Sequence, residues 1–216
     1  MSINFDLSQK IPQIFDAKRV SWYSLIMNTN LEKLAYEWIT AETGKADVTS
    51  DFYCQTRDVF QARFDRMLRD LFSKAKFEGD AYIISAIAGE IGNNSFDHNV
   101  GNWRDVPGVF FGYDLSEDTF AIVIADRGQG ILKTLKRAKP ELASDQDALT
   151  TAFTERISGR APESRGNGLK FVRENVKNKK MYLTFISGKA KAELNDGMLI
   201  EEFGENVIGS LAIIKL

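Results

Sequence analysis

The segment YIISAIAGEIGNNSFDHN, Tyr82 to Asn99, restricts the fold more than any other. At 100° per residue, Ile83, Ile87, Glu90, Asn94 and Asp97 fall in a narrow stripe with His98 on its edge. One helical face is therefore apolar at its start and polar at its end. A helix sunk wholly in a core would strand those polar groups at about 1–3 kcal/mol each, and a helix facing solvent has no use for the isoleucines. The economical arrangement packs the first turns on a sheet and lines a polar cavity with the last. The alternative is a helix that emerges into solvent and frays at Asn99 and Gly101.

The rest of the chain supplies a sheet for such a helix. VPGVFFGYDL and TFAIVIAD, separated by Ser116, Glu117 and Asp118, read as a β-hairpin. Strand patterns return in MYLTFISG, KAELND, GMLIEEFG and NVIGSLAIIKL, with one turn at Asn195, Asp196 and Gly197 and another near Gly204. Helical spacing marks residues 31–43, 52–73, 131–138, 145–157 and 169–178. In the second of these Phe60, Phe64, Leu68, Leu71 and Phe72 recur at helical spacing, and Arg57, Arg63, Arg66 and Arg69 take other faces as a solvated surface. Periodicity leaves SWYSLI at 21–26 open between an edge strand and part of a helix. The order of elements predicts an α+β fold, a two-layer α/β sandwich with helices on one face of a mixed, largely antiparallel sheet. Residues 1–79 are expected to form a mostly helical N-terminal extension and residues 80–216 the functional domain.

With 216 residues, 44% of them hydrophobic, the chain can bury a sizeable core, and a net charge of −2 gives no global footprint for nucleic acid or an anionic membrane. No apolar run approaches the roughly 20 residues that span a bilayer, and MSINFDLSQK lacks the regions of a signal peptide, so the expected location is the cytoplasm. Cys54 and His98 are the single cysteine and histidine. That excludes an internal disulfide and argues against a zinc site built from Cys and His, and Cys54 is expected as inert packing.

Two glycine-bearing stretches stand beside the polar helix end. In IVIADRGQGI an apolar strand ends in Asp126, and Gly128 and Gly130 permit a tight turn or close approach to a ligand. An aspartate directed into a pocket there can accept a hydrogen bond from an amino group such as that of adenine. In SRGNGLKFVRENV, Gly166 and Gly168 precede an amphipathic helix bearing Leu169, Phe171, Val172 and Val176, and glycines at a helix N-terminus leave N–H groups open to phosphate. Ordinary loop glycines explain either stretch alone equally well. A dinucleotide-binding fingerprint fails, because no strand precedes RGNGLK at the right distance and the full GxGxxG spacing is missing; no Walker-type GK[ST] occurs either.

Taken in order, the three stretches resemble the GHKL ATPase superfamily, which groups gyrase-type topoisomerases, mismatch-repair ATPases, histidine kinases and anti-sigma-factor serine kinases. Glu90, Asn94 and Asp97 match its N-box; Asp126, Gly128 and Gly130 match its DxGxG box; Gly166, Gly168 and Leu169 match its GxGL box. The match runs from about Asp80 to Leu216. It implies the Bergerat fold with ATP between helices and sheet, Glu90 as general base toward water or an acceptor side chain, Asn94 as the Mg²⁺ ligand and Asp126 as the reader of the adenine amino group. Asp97, His98, Ile131, Arg165 and Asn167 join Asn94, Asp126 and the glycine-box residues Gly128, Gly130, Gly166, Gly168 and Leu169 in the implied nucleotide contacts. Roughly Leu132 to Arg165 would be a lid carrying Lys133, Lys136, Arg137, Arg156, Arg160 and Arg165, one or two of which would meet phosphate.

Within the superfamily, His98 resembles the anti-sigma kinases, where histidine kinases usually have alanine. Self-phosphorylation on an N-terminal histidine is excluded by inventory. Topoisomerase and mismatch-repair members continue into a transducer domain, whereas this sequence ends at SLAIIKL. The expected output is phosphate transfer to, or ATP-gated binding of, a protein partner through the N-terminal helices or the lid, with a homodimer left open. A nucleotide-dependent interaction module without turnover and a simple ATPase are the alternatives. Lys170 departs from the family pattern, which commonly has glycine there.

Overall fold

The computed structural model describes residues 27–156 and 168–216; SWYSLI at 21–26, Arg160, Arg165, Gly166 and Asn167 lie outside the described residues. The order is α1 (Asn30–Thr40), β1 (Tyr53–Cys54), α2 (Arg57–Phe72), a 3-10 turn (Glu78–Asp80), α3 (Ala81–Asn99), β2 (Val109–Leu115), β3 (Phe120–Asp126), α4 (Gly130–Leu135), α5 (Asp145–Thr154), α6 (Gly168–Asn178), β4 (Tyr182–Leu194) and β5 (Met198–Lys215). The described strands form one sheet in the order β1-β2-β3-β5-β4, with every pairing antiparallel where a mixed sheet was expected. The four expected C-terminal strands are two long ones. MYLTFISG and KAELND fuse across Gly188, which takes φ +63° at a register shift, and Gly204 lies within β5 and makes no turn. A glycine inside a strand pattern here marks a bulge or a plain strand position and not a chain reversal.

Alternation along β3 sorts its side chains between two cores. Ile122 and Ile124 join the core beneath α2, α3, α5 and α6, while Val123 and Ala125 join a second core beneath α1. Helix α1 brings Leu31, Tyr36, Trp38 and Ile39 to that second core, and each large apolar side chain gains about 1.5–3 kcal/mol on burial. The fold is therefore α+β with helices on both faces of the sheet, because the apolar stripe of α1 finds its partner on the face that the sequence reading left bare. Phe60, Met67 and Leu71 of α2 sit in the first core. Residues ahead of position 80 thus help to build both cores.

Charge fastens α1 at its start. Thr29 Oγ1 accepts from the Glu32 N–H at 3.3 Å, and the fully buried Glu32 carboxylate accepts from the Asn28 N–H at 2.9 Å and pairs with Lys215 Nζ at 2.9 Å. Cys54 is buried, its thiol is pushed up chiefly by that burial, and it accepts from Arg63 Nη1 at 3.4 Å, in keeping with a packing role. No helix of the described residues is long and apolar enough to cross a membrane.

Helices α2 and α3 meet closely at Gly92. A methyl group there would lie 2.2 Å from the Phe60 ring, which is fully buried and stacked edge-on against Phe111 at 5.1 Å. Gly92→Ala is expected to lower stability by about 1–3 kcal/mol, since overpacking outweighs the ~1 kcal/mol of helix propensity that alanine adds. Chemical denaturation measures the change, and an unchanged or higher midpoint would mean that the two helices separate freely.

Candidate functional site

The buried stripe of α3 runs through Ile84, Ala88, Ile91, Ser95 and Asn99, one step around the helix from Glu90 and Asn94. Its polar end meets Asp126, which strand alternation directs to the α3 side. The Asp126 carboxylate accepts from Ser95 Oγ at 2.9 Å, Asn99 Nδ2 at 3.0 Å and the Gly128 N–H at 2.9 Å. Burial outweighs these donors and lifts its carboxyl to about 6. Asn99 Oδ1 accepts from the Gln129 N–H at 3.0 Å, and a methyl group on Gly128 would lie 2.0 Å from the Asn99 side chain. Gly130 takes φ +77°, and the Ile131 N–H donates to Ser187 Oγ at 3.0 Å, which in turn donates to Gly209 O at 2.8 Å.

These contacts surround a concavity of about 40 Å³ between α3 and the sheet. Asn94, His98, Asp126, Gly130, Ile131 and Leu169, all named from the sequence, line it together with Ser95, Asn99, Ile124, Phe185 and Ser210. Glu90 does not line it. Glu90 Oε1 accepts from Asn94 Nδ2 at 3.0 Å and lies so close to Gly168 that a methyl group there would be 1.8 Å away. Oε2 of Glu90 makes no hydrogen bond among the described residues. The bond to Glu90 uses the amide nitrogen of Asn94 and leaves its side-chain oxygen outside that contact. Among the described residues no group of three or more His, Cys, Asp or Glu side chains is placed to hold a metal ion.

Asp97 departs from the expected set. It pairs with Arg57 of α2, whose guanidinium also donates to Asn93 Oδ1 at 3.1 Å and lies 5.5 Å from the centre of the Phe96 ring. Arg57 therefore ties α2 to α3 and is not simply part of a solvated face, and Asp97 is not among the residues that line the concavity.

The described part of the expected lid, residues 132–156, is largely packed. Leu135, Leu142, Ala148 and Ala152 form a small core, and Leu149 and Phe153 of α5 reach the main core, with Phe153 edge-on to Phe185 at 5.5 Å. Helix α5 is apolar on two sides and so is packed into the fold. Lys133 and Lys136 line a different concavity of about 410 Å³ with Asn206, and Arg137 donates to Gln129 Oε1 at 3.0 Å.

Sequence reading missed Ser95, Ser187, Asp105 and Arg127. Ser95 and Asn99 follow Ile91 at steps of four, so the spacing carried a signal that the stripe through Glu90 obscured. Arg127 sits one residue beyond Asp126 and so turns to the α1 side of the sheet, where it is fully buried. No protein-family model matches the chain, and no curated protein matches it.

Proposed function

We propose that the concavity between α3 and the sheet binds Mg-ATP, in a GHKL-type site on a Bergerat-like arrangement, and that the bound nucleotide serves phosphate transfer to, or gated binding of, a protein partner. The observation that carries the reading is convergence. Asn94 and His98 of α3, Asp126 and Gly130 around the end of β3, and Leu169 of α6 come from three distant stretches and line one concavity, the convergence of a few polar groups that marks a small-molecule site.

Asp126 would take the adenine amino group, and Ser95 makes room for it. The Ser95 hydroxyl has two acceptors, Asp126 Oδ2 at 2.9 Å and Ile91 O at 3.3 Å, so it can turn to the second when an incoming N–H claims the first. Asn94 offers one side-chain oxygen to Mg²⁺, and the absence of a carboxylate cage among the described residues fits a cation held mainly by nucleotide phosphates and water. Mg-ATP supplies the transferable phosphoryl group. Glu90, oriented by the Asn94 amide, keeps Oε2 for the proton of a water or an acceptor hydroxyl.

The apolar faces of α1 and α2 are used in the two cores, so partner recognition is proposed for exposed surfaces. Purified protein incubated with labelled ATP and Mg²⁺, with and without cell extract, separates the outputs. A labelled protein supports the kinase reading, free phosphate alone a simple ATPase, and bound ATP without turnover a sensor; undetectable binding overturns the site. Glu90→Gln is expected to retain ATP binding and to slow turnover about 10²- to 10⁴-fold. Full turnover by that variant would remove Glu90 from the chemistry.

A further inference from the structure

Among the described residues Arg127 is the largest of the fully buried side chains, and the nucleotide reading gives it no task. All five of its N–H donors are engaged. Nε meets Asp105 Oδ1 at 2.8 Å, Nη2 meets Asp105 Oδ2 at 2.7 Å and Ala41 O at 2.9 Å, and Nη1 meets Trp38 O at 2.7 Å and Ile39 O at 2.8 Å. The carbonyls lie at the C-terminal end of α1, where a helix leaves its acceptors unpaired and favours a cation. Asp105 also accepts from the Gly44 N–H and the Val106 N–H, each at 2.8 Å, and the Arg104 N–H donates to Arg127 O at 2.8 Å.

Three segments thus meet at one guanidinium: the end of α1, the stretch that follows α3, and the loop that follows β3. The neighbours of Arg127 in sequence are Asp126 and Gly128, which α3 holds from the other side through Ser95 and Asn99. We infer that Arg127, braced by Asp105, is a positioning residue for the Asp126 loop, and that α1 is thereby a component of the nucleotide site. What the loop is positioned for rests on the nucleotide reading; the positioning itself can be read without nucleotide.

The test uses the full chain and three variants. Arg127→Lys and Asp105→Asn weaken the knot, and Glu32→Gln loosens α1 at its other end, where Glu32 pairs with Lys215. The readouts are amide hydrogen exchange at Gly128 and Gln129, thermal midpoint, and affinity for Mg-ATP. Both knot variants are expected to speed exchange at these two amides and to weaken ATP about tenfold, the order typical of supporting partners behind a binding group. Glu32→Gln is expected to do neither at a matched loss of thermal midpoint. If Glu32→Gln produces the same local exchange and the same loss of affinity, Arg127 contributes only general stability and the inference falls. Faster exchange with unchanged affinity also overturns it. Local exchange changes in a protein that binds no ATP would support the positioning and sink the nucleotide reading. Should Arg127→Lys not fold, Asp105→Asn carries the comparison.

Discussion

Asp126→Asn is expected to weaken ATP binding about 100-fold while keeping the fold, the order of effect of losing a hydrogen bond to a charged acceptor. The same substitution has a second readout that needs no nucleotide. The Asp126 carboxyl stands at about 6 in the folded chain against 3.8 for an exposed aspartate, with burial as the largest cause. A group raised in this way contributes its full stability below the lower value and loses it as pH rises through the higher one, here on the order of 3 kcal/mol between acid and neutral solution. Asparagine does not ionise and so escapes that loss. Its amide group instead sets N–H against one of the donors that Asp126 accepts from, a cost that does not change with pH. The stability of the variant relative to the parent should therefore rise between about pH 4 and pH 7, as measured by urea denaturation at several pH values. Other carboxylates common to both proteins cancel in the difference. A flat difference would mean that Asp126 is already ionised without penalty across this window. In the parent, ATP affinity should also increase as pH passes upward through about 6, when the carboxyl becomes the better acceptor.

The part of the site built on local periodicity was legible, and the part built on pairing between layers was not. Glu90, Asn94 and His98 declare themselves because polar residues continue the line of Ile83 and Ile87. The hairpin of β2 and β3 declares itself through its apolar runs and the turn at Ser116, where Ser116 N–H donates to Thr119 O at 3.0 Å. Asp97 has the right position on the helix for the stripe, yet it pairs with Arg57 on another helix, and spacing carries no record of that neighbour. The packing of the lid's described part was hidden for a similar reason. Its cations suggest solvent, but the apolar residues of α5 are placed to bury two sides at once, and only the assembled sheet shows what they bury against. Helix α1 was read as a helix from its own pattern, whereas its place on the far face depends on Val123, Ala125, Leu211 and Ile213, which alternation hides among residues facing the other way.

Arg127→Met is expected to cost about 3–5 kcal/mol of stability, the effect of breaking a buried ion pair by removing one partner. The loss has two parts that can be separated. One is the ion pair. Asp105, held down to about 2 chiefly by the Arg127 hydrogen bonds, contributes stability that is present above the ordinary 3.8 and is lost as pH falls through the lower value. The gap between parent and variant should therefore narrow between about pH 4 and pH 2. The other part is the set of α1 carbonyls at Trp38, Ile39 and Ala41, which lose their donor at every pH. A buried ion pair replaced on both sides by apolar groups is often neutral, so an Arg127→Met and Asp105→Leu double variant tests which part dominates. It should recover the share due to the unpaired carboxylate and remain well below the parent, because the carbonyls are still without a partner and each costs about 1–3 kcal/mol. Full recovery by the double variant would show that the guanidinium serves Asp105 alone, and that the C-terminal end of α1 does not depend on it.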